Sequence, residues 1–308
     1  MAGTVLIADL HQDLWSHVEA REVFGDVYQT SFPLIEDSPI GLVVASTFNM
    51  HDGARVTSAY SVGLMDRYRR KCEEPGWKQV LSANDLQGED SRASRRLLVH
   101  VEGIGGSAGP VEERLQSWWE RGCRSIGPMW NLDNGLGGGP MEPRTPLSQL
   151  GLRAVRWIDE RPMVLDLAHM GERTFSDTVG ATSGTLVASH ANARALCEHP
   201  RNLFDDQIRA IADRGGVVGI VLSKRFLGLT SDLEAALRHA DHIAALVGPD
   251  YVGIGTDLGG LGDPIDDVDT VAGLVTLAER FEGYFGRATW RKIAWDNAVR
   301  AIRASLAP

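Results

Sequence analysis

Uninterrupted apolar runs recur along the chain, separated by segments whose apolar residues fall three and four apart. The runs predict strands near Val5–Leu10, Gly41–Thr47, Leu97–Val101, Arg124–Pro128, Met163–Leu167, Thr185–Ser189, Val217–Leu222 and Tyr251–Gly255. Most are too uniformly apolar for a sheet with one wet face, and such strands suit a parallel sheet covered on both faces. The spacing between them predicts helices over Val111–Arg121, Leu147–Asp159, Asp205–Arg214 and Asp232–Leu246. Further helical patterns run through Val268–Phe281 and Thr289–Leu306. Ser231, and Asn202 with Asp205, read as helix starts, and Gly215 and Gly248 as stops. Eight strand–helix units predict an α/β fold of the (β/α)8, TIM-barrel type. With no repeat, linker or composition break, one domain over residues 1–308 is expected. A doubly wound sheet would use similar units, but no dinucleotide fingerprint follows the first strand. The stretches Gly103–Gly106 and Gly135–Gly139 lack the setting of a phosphate loop and read as turns.

In such a barrel, chemistry gathers at the C-terminal ends of the strands. LIADLHQDL ends on His11 and Asp13, whose two-residue spacing sends both side chains the same way. LLVHVEG ends on Glu102, MVLDLAHM on His169, TLVASHAN on His190 and YVGIGTD on Asp257. Taken singly, Glu102 reads equally well as a loop-capping acid, His169 as a core histidine and Asp257 as a turn residue. Taken together, those readings need six coincidences on one rim. The set has the chemistry of a two-metal hydrolase. His11 and Asp13 would hold one ion, His169 and His190 a second, and Glu102 would bridge the two. A water between the ions would be acidified toward neutrality, and Asp257 would serve as general base and then as proton donor to the leaving amine. The other histidines receive no role. His239 and His242 are expected at a helix surface, and His100, beside Glu102, is expected to point away from its face. His17, His51 and His199 fall in loops or helix ends.

Composition narrows this picture modestly. A chain of 308 residues with 43% hydrophobic content buries a core large enough for such a barrel. The net charge of −10 argues against a nucleic-acid or anionic-membrane partner. Cys72, Cys123 and Cys197 are far apart and odd in number, and read as reduced, mostly buried thiols. MAGTVLIADLHQDL has no basic segment leading into a long apolar run, and RAIRASLAP reads as the end of an amphipathic helix. A soluble, cytoplasmic protein is the expectation.

Three stretches carry a resemblance to a known family: DLHQDL, VLDLAHMGERTF and ASHANARALCEHPRNLFDDQIRAIADRGGVVGI. With YVGIGTD and DNAVRAI, they make the chain resemble the membrane (renal) dipeptidases, zinc peptidases with a barrel fold, over nearly its whole length. The resemblance implies metal ligands at His11, Asp13, Glu102, His169 and His190, with two zinc ions bridged by Glu102. It implies a catalytic aspartate at Asp257, and at Arg201 a guanidinium for a substrate carboxylate or a developing oxyanion. A small peptide or peptide-like substrate and a homodimer are likewise implied. Two departures stand out. Where the family has a histidine contacting the substrate carbonyl, this chain reads IGPMWN, which puts Trp130, or its neighbour Met129, in that place; Trp130 and Asn131 are the expected substrate contacts. Two residues beyond the catalytic aspartate the family commonly has a second acid, and Gly259 stands there.

The leading expectation is a binuclear zinc metallo-dipeptidase that attacks an amide through a metal-bridged hydroxide. An alternative is a specialised hydrolase of a bulky peptide-like metabolite or Cys-Gly conjugate, its pocket altered at Trp130. A third is a metal-stabilised scaffold without turnover.

Overall fold

In the computed structural model, residues 5–14, 29–48, 58–87, 94–105, 110–228, 230 and 232–307 are described. The start signal at Ser231, and His17 and His51, lie outside them. Among the described residues, nine strands form one parallel sheet: β1 (Ile7–Gln12), β2 (Ile40–Phe48), β3 (Trp77–Gln79), β4 (Arg95–Glu102), β5 (Cys123–Gly127), β6 (Val164–Asp166), β7 (Leu186–Ala188), β8 (Val217–Ile220) and β9 (Val252–Ile254). β2 pairs directly with β4, and β9 closes onto β1 at Asp9 opposite Ile254. Every strand except β3 therefore lies in a closed (β/α)8 barrel, and all eight predicted strands are among its staves. The three-residue β3, absent from the expectation, flanks β4 from outside.

Strand alternation divides the core in two. Leu97, Val99 and Val101 face the surrounding helices, whereas Leu98 lies inside with Leu42, Val44, Val164, Val187 and Val217. The barrel floor is closed by Ala83 and Leu86 of the short turn Ala83–Leu86, and by Ala298, Ala301 and Ile302 of the last helix, Asn297–Ser305. That leaves the opposite, C-terminal rim open.

The predicted helices appear as Val111–Glu120, Gln149–Asp159, Asp205–Asp213 and Leu233–Val247. Asp232 caps the last of these by accepting from the Ala235 N–H at 2.8 Å. Helix Glu172–Ala181 was not foreseen because its inward face is Thr174, Phe175 and Thr178, two of which a hydrophobic pattern cannot register. The C-terminal helix is interrupted. Arg287–Arg291 leads into a π turn, Lys292–Asp296, before Asn297–Ser305, and Trp290, Ile293, Ala294 and Trp295 are buried across the break. Asn297 Nδ2 then donates to the carbonyls of Pro249 and Val252, both at 2.8 Å, which ties this helix to the start of β9.

Two local devices position the rim. Ala8 and Leu10 lie in the interior cluster, so strict alternation would leave His11 outside. Against β2, however, Asp9 and Gln12 are opposite Val43 and Ala45, three residues against two. This bulge turns His11 inward after Leu10. Small residues do the second job: a Cβ on Gly219 or Gly255 would collide with the Ser189 carbonyl, so the two neighbouring strands reach that layer only as glycine.

Gly255→Ala should therefore destabilise the fold by roughly 2–3 kcal/mol through forced backbone displacement. Gly283→Ala, in a helix with open space around it, should be neutral or mildly stabilising. Urea-unfolding midpoints read both, and an unshifted midpoint for Gly255→Ala contradicts the argument.

Candidate functional site

The six strand-end residues meet at the open rim. Glu102 is central: its Oε1 lies 3.1 Å from His169 Nε2, 3.5 Å from His190 Nε2 and 3.9 Å from His11 Nε2. Asp257 Oδ1 is 3.9 Å from His11 Nε2, and one ligand atom each of His11, Asp13 and Asp257 fall within 4.8 Å of one another. The rings of His11 and His190 are 4.0 Å apart. Among the described residues, His169 (φ 63°) and Asp257 (φ 62°) are the non-glycine positions with left-handed backbone. Each such position costs about 1–2 kcal/mol, a strain that concentrates where side-chain aim matters more than stability.

The backbone around Asp257 leaves room for the carboxylates. Gly259 has φ 93° and a Cβ there would strike the Asp13 carbonyl; one on Gly260 would crowd Asp13 Oδ2 and Asp257 Oδ1. The acid common two residues after Asp257 in the resembling family has no space in this chain. Beneath the rim, Asp9 ties β1 to the residues after β9. Its carboxylate accepts from the His11 N–H (3.2 Å), Gln12 Nε2 (2.7 Å), the Thr256 N–H (2.9 Å) and Thr256 Oγ1 (2.6 Å).

The electrostatics oppose the arrangement unless positive charge is added. Burial, then the neighbouring Glu102 carboxylate, pushes Asp13 up to about 8. Burial raises Glu102 to about 7 despite His100 and Arg201. Asp257 stands well above the usual carboxylate range through burial and then Asp13 and Glu102. Burial holds His11, His169 and His190 well below the usual imidazole range, so they are neutral rings. Arg201 is the guanidinium facing this group, itself lowered by burial while Glu102 and Asp257 oppose the shift. Among the described residues nothing hydrogen-bonds to His11 Nδ1, His11 Nε2, Asp13 Oδ1 or His190 Nε2, though all are buried. Buried donors and acceptors are normally satisfied. Two neutral imidazoles and a carboxylate oxygen left unpartnered around one point, among the described residues, belong to the donor set that zinc-like ions take, so these residues fit a metal.

Above the rim lies a cavity of about 220 Å³, lined by Asp13, Glu102, His169 and Asp257 on its floor. Trp130 and Asn131, expected from the sequence as substrate contacts, are in its wall, as is Arg201. Trp130 stands beside His169 with ring centroids 6.5 Å apart. Asn131 Oδ1 is 3.1 Å from His169 Nδ1, so besides facing the cavity it orients that ring. Arg201 donates from Nη2 to the His190 carbonyl at 3.2 Å and from its backbone N–H to His199 Nδ1 at 3.2 Å.

Some of the walls were not foreseen. Ser223, Arg225, Phe226, Leu261 and Asp263 come from the segments after β8 and β9, Arg225 and Phe226 on the short helix Lys224–Leu227, and carry no motif. Asp263 clamps the first segment, accepting from Ser223 Oγ at 2.9 Å and the Arg225 N–H at 3.1 Å. Two expectations are corrected. His100 does not point away from Glu102: two residues apart on β4 they share a face, and the His100 ring lies inside, 5.2 Å from that of His11. His239 is not at the surface but buried (1% exposed), where its Nδ1 accepts the Ala193 N–H at 3.1 Å and holds the loop after His190. His242 is half-buried, paired with Asp205 at 2.9 Å. Of the cysteines, Cys123 is buried, and Cys72 and Cys197 are partly exposed; all three are free thiols.

Imidazoles and carboxylates converging on the rim of a parallel barrel define a metal-dependent hydrolase. Residues 3–307 match the family described as Membrane dipeptidase (Peptidase family M19), and the chain belongs to that family. It is therefore a metallopeptidase. An uncharacterized protein in the pqqA 5′ region of Klebsiella pneumoniae is 36% identical over 238 residues, covering 72% of this chain and 87% of its own length. Dipeptidase 3 of Rattus norvegicus is 25% identical over 293 residues, covering 89% of this chain but 58% of its own length. Among solved structures, dipeptidase AC superposes with a TM-score of 0.86 at 24% identity, over 99% of this chain and 100% of that one. A metallo peptidase from Rhodobacter sphaeroides, liganded with a phosphinate mimic of the dipeptide L-Ala-D-Ala, gives 0.84 at 22% identity, over 98% of this chain and 100% of that one. No helix among the described residues is long and apolar enough to cross a membrane.

The raised carboxyls give the metal-free protein a definite pH dependence. Asp13 and Glu102 bind more protons folded than unfolded between their ordinary values, 3.8 and 4.5, and about 8 and 7. Stability from them is present in full at low pH and is lost as pH rises through 7–8. The lowered histidines act oppositely, but only up to their unfolded value of 6.5. The melting temperature of chelator-treated protein should therefore fall from pH 6.5 to 8.5, and zinc should flatten that slope. A rise across the same interval without metal contradicts the electrostatic picture.

Proposed function

We propose that the chain hydrolyses the peptide bond of a dipeptide or dipeptide-like substrate at a site holding two zinc ions. The reading is carried by one observation: unpartnered, buried imidazole and carboxylate atoms surround Glu102 at the floor of the cavity. His11 and Asp13 would hold one ion and His169 and His190 the other, with Glu102 shared between them. Ions held there would polarise the scissile carbonyl and acidify the attacking water.

The chain's own residues supply the remainder. Asp257, whose burial beside Asp13 and Glu102 favours proton uptake, takes the proton of the attacking water on its carboxylate and returns it to the leaving amine. Arg201 presents its buried guanidinium to the substrate's terminal carboxylate or to the oxyanion. Trp130 and Phe226 are the aromatic walls of the cavity. A cavity of about 220 Å³ is small beside the roughly 300–1,000 Å³ of sites for drug-sized ligands, which favours a substrate no larger than a dipeptide. The dipeptide mimic held by the Rhodobacter sphaeroides relative supports the same class and places D-residue substrates among those to test.

A second reading is favoured by Trp130, which lines the cavity beside His169 where the family has a histidine. An indole donates one hydrogen bond and cannot become cationic, so simple dipeptides would lose a carbonyl contact while one bulky, peptide-like partner gains a stacking wall. The non-catalytic scaffold has no such observation behind it, since Asp257 is held in a strained backbone that a retired site has no need to keep.

Zinc-loaded protein should cleave members of a dipeptide panel that includes Cys-Gly and L-Ala-D-Ala. Asp257→Asn should lower kcat by about 10²–10⁴-fold with metal content unchanged. A protein that holds two ions and cleaves nothing in the panel opposes the dipeptidase reading. Under the second reading, Trp130→His raises activity on simple dipeptides by at least tenfold; equal broad activity in both proteins removes that reading.

A further inference from the structure

The rim site rests on a deeper layer of buried polar groups. Ser189, directly after β7, has its hydroxyl oxygen 2.5 Å from Asp166 Oδ2 and 2.7 Å from His190 Nδ1. Asp166, at the end of β6, also accepts on Oδ1 from the Ala168 N–H at 3.0 Å and the Ser189 N–H at 2.9 Å. All three residues are buried, and His100 Nε2 lies 3.7 Å from Asp166 Oδ2.

The direction of these bonds follows from what each group can give. An ionised carboxylate only accepts, so the Ser189 hydroxyl spends its single hydrogen on Asp166 Oδ2. Its contact with His190 must then run the other way, with Nδ1–H donating to the serine oxygen. That leaves Nε2 deprotonated. This nitrogen faces Glu102 Oε1 at 3.5 Å and has no hydrogen-bond partner among the described residues. If His190 existed only to bond Glu102, the opposite tautomer, Nε2–H, would serve better. The chain instead sets two lone pairs against each other, an arrangement relieved by a cation, or by a proton on Glu102, between them.

We propose that Asp166 and Ser189 are positioning residues that lock His190 in its Nδ1–H tautomer and so keep Nε2 as a standing metal-ligand lone pair. The inference rests on the metal reading given under Proposed function and adds what sets the ligand's protonation. His169 is oriented from the same nitrogen by Asn131, a neutral amide. The His190 device uses a charged carboxylate acting through a hydroxyl, which fixes bond direction more firmly.

The decisive variant is Asp166→Asn. It preserves size but provides an amide N–H₂ that can donate to Ser189, freeing the hydroxyl to donate to His190 Nδ1 and driving the ring to Nε2–H. Long-range ¹H–¹⁵N spectra of metal-free protein labelled at its histidine rings read the tautomer directly, with His190→Gln identifying the signal. The expected result is Nδ1–H in the unsubstituted protein and Nε2–H in Asp166→Asn. Zinc affinity, measured by competition with a chelator, should be weakened about 10–100-fold for one ion. Ser189→Ala, which deletes one atom and serves if Asp166→Asn does not fold, should lose the fixed tautomer with a similar loss of affinity. The proposal is overturned if His190 in the unsubstituted protein carries its proton on Nε2. It is overturned equally if folded variants keep both the tautomer and a zinc affinity within twofold. Should the unsubstituted protein show Nδ1–H yet bind no divalent ion, the lock stands and the metal reading fails.

Discussion

Everything at the barrel rim answers to one constraint: three carboxylates, Asp13, Glu102 and Asp257, are buried together against three neutral imidazoles and one guanidinium. Desolvation and mutual repulsion drive all three acids toward protonation. A protein does not retain such a cluster for stability, because isosteric apolar residues would be easier to bury. Two divalent cations would reverse the balance, supplying the missing positive charge and taking the lone pairs on His11, His190 and Asp13 that have no partner among the described residues.

The surrounding fold can be understood as the means of holding that cluster still. The bulge in β1 sends His11 inward, and left-handed backbone at His169 and Asp257 aims side chains that regular strand geometry would misdirect. Glycines at 219, 255, 259 and 260 admit a polar layer that any Cβ would displace. Asp9 and Asp166 each gather several donors below the rim, one at the β1–β9 closure and one between β6 and β7. These are local sacrifices of stability, offset by a barrel whose outer staves and helices are packed in the ordinary apolar way.

Much of this was legible in the sequence because the barrel ties chemistry to strand ends. Eight apolar runs located the strands, and reading the residues that follow five of them singled out His11, Asp13, Glu102, His169, His190 and Asp257, which the structure brings to one rim. What escaped had no periodic or terminal signature. Helix Glu172–Ala181 buries threonines, and β3 is three residues long. Phe226, on the short helix Lys224–Leu227, and Asp263 reach the cavity from segments whose course depends on tertiary contacts. His239 sits on a helix face that the apolar pattern already marked as buried, yet its polarity suggested surface. His100 was recoverable by counting, since it shares the parity of Glu102. Ser189 and Asp166 gain meaning only when two strands bring them within hydrogen-bond reach of one histidine.

We propose this cluster of acids and imidazoles as a two-ion site. The equilibrium stoichiometry of zinc on chelator-stripped, refilled protein, measured by elemental mass spectrometry against protein concentration, tests it directly. Two ions per chain are expected, falling in Glu102→Gln as both ions would lose their shared ligand. A stoichiometry of zero or one in the folded, unsubstituted protein would contradict it.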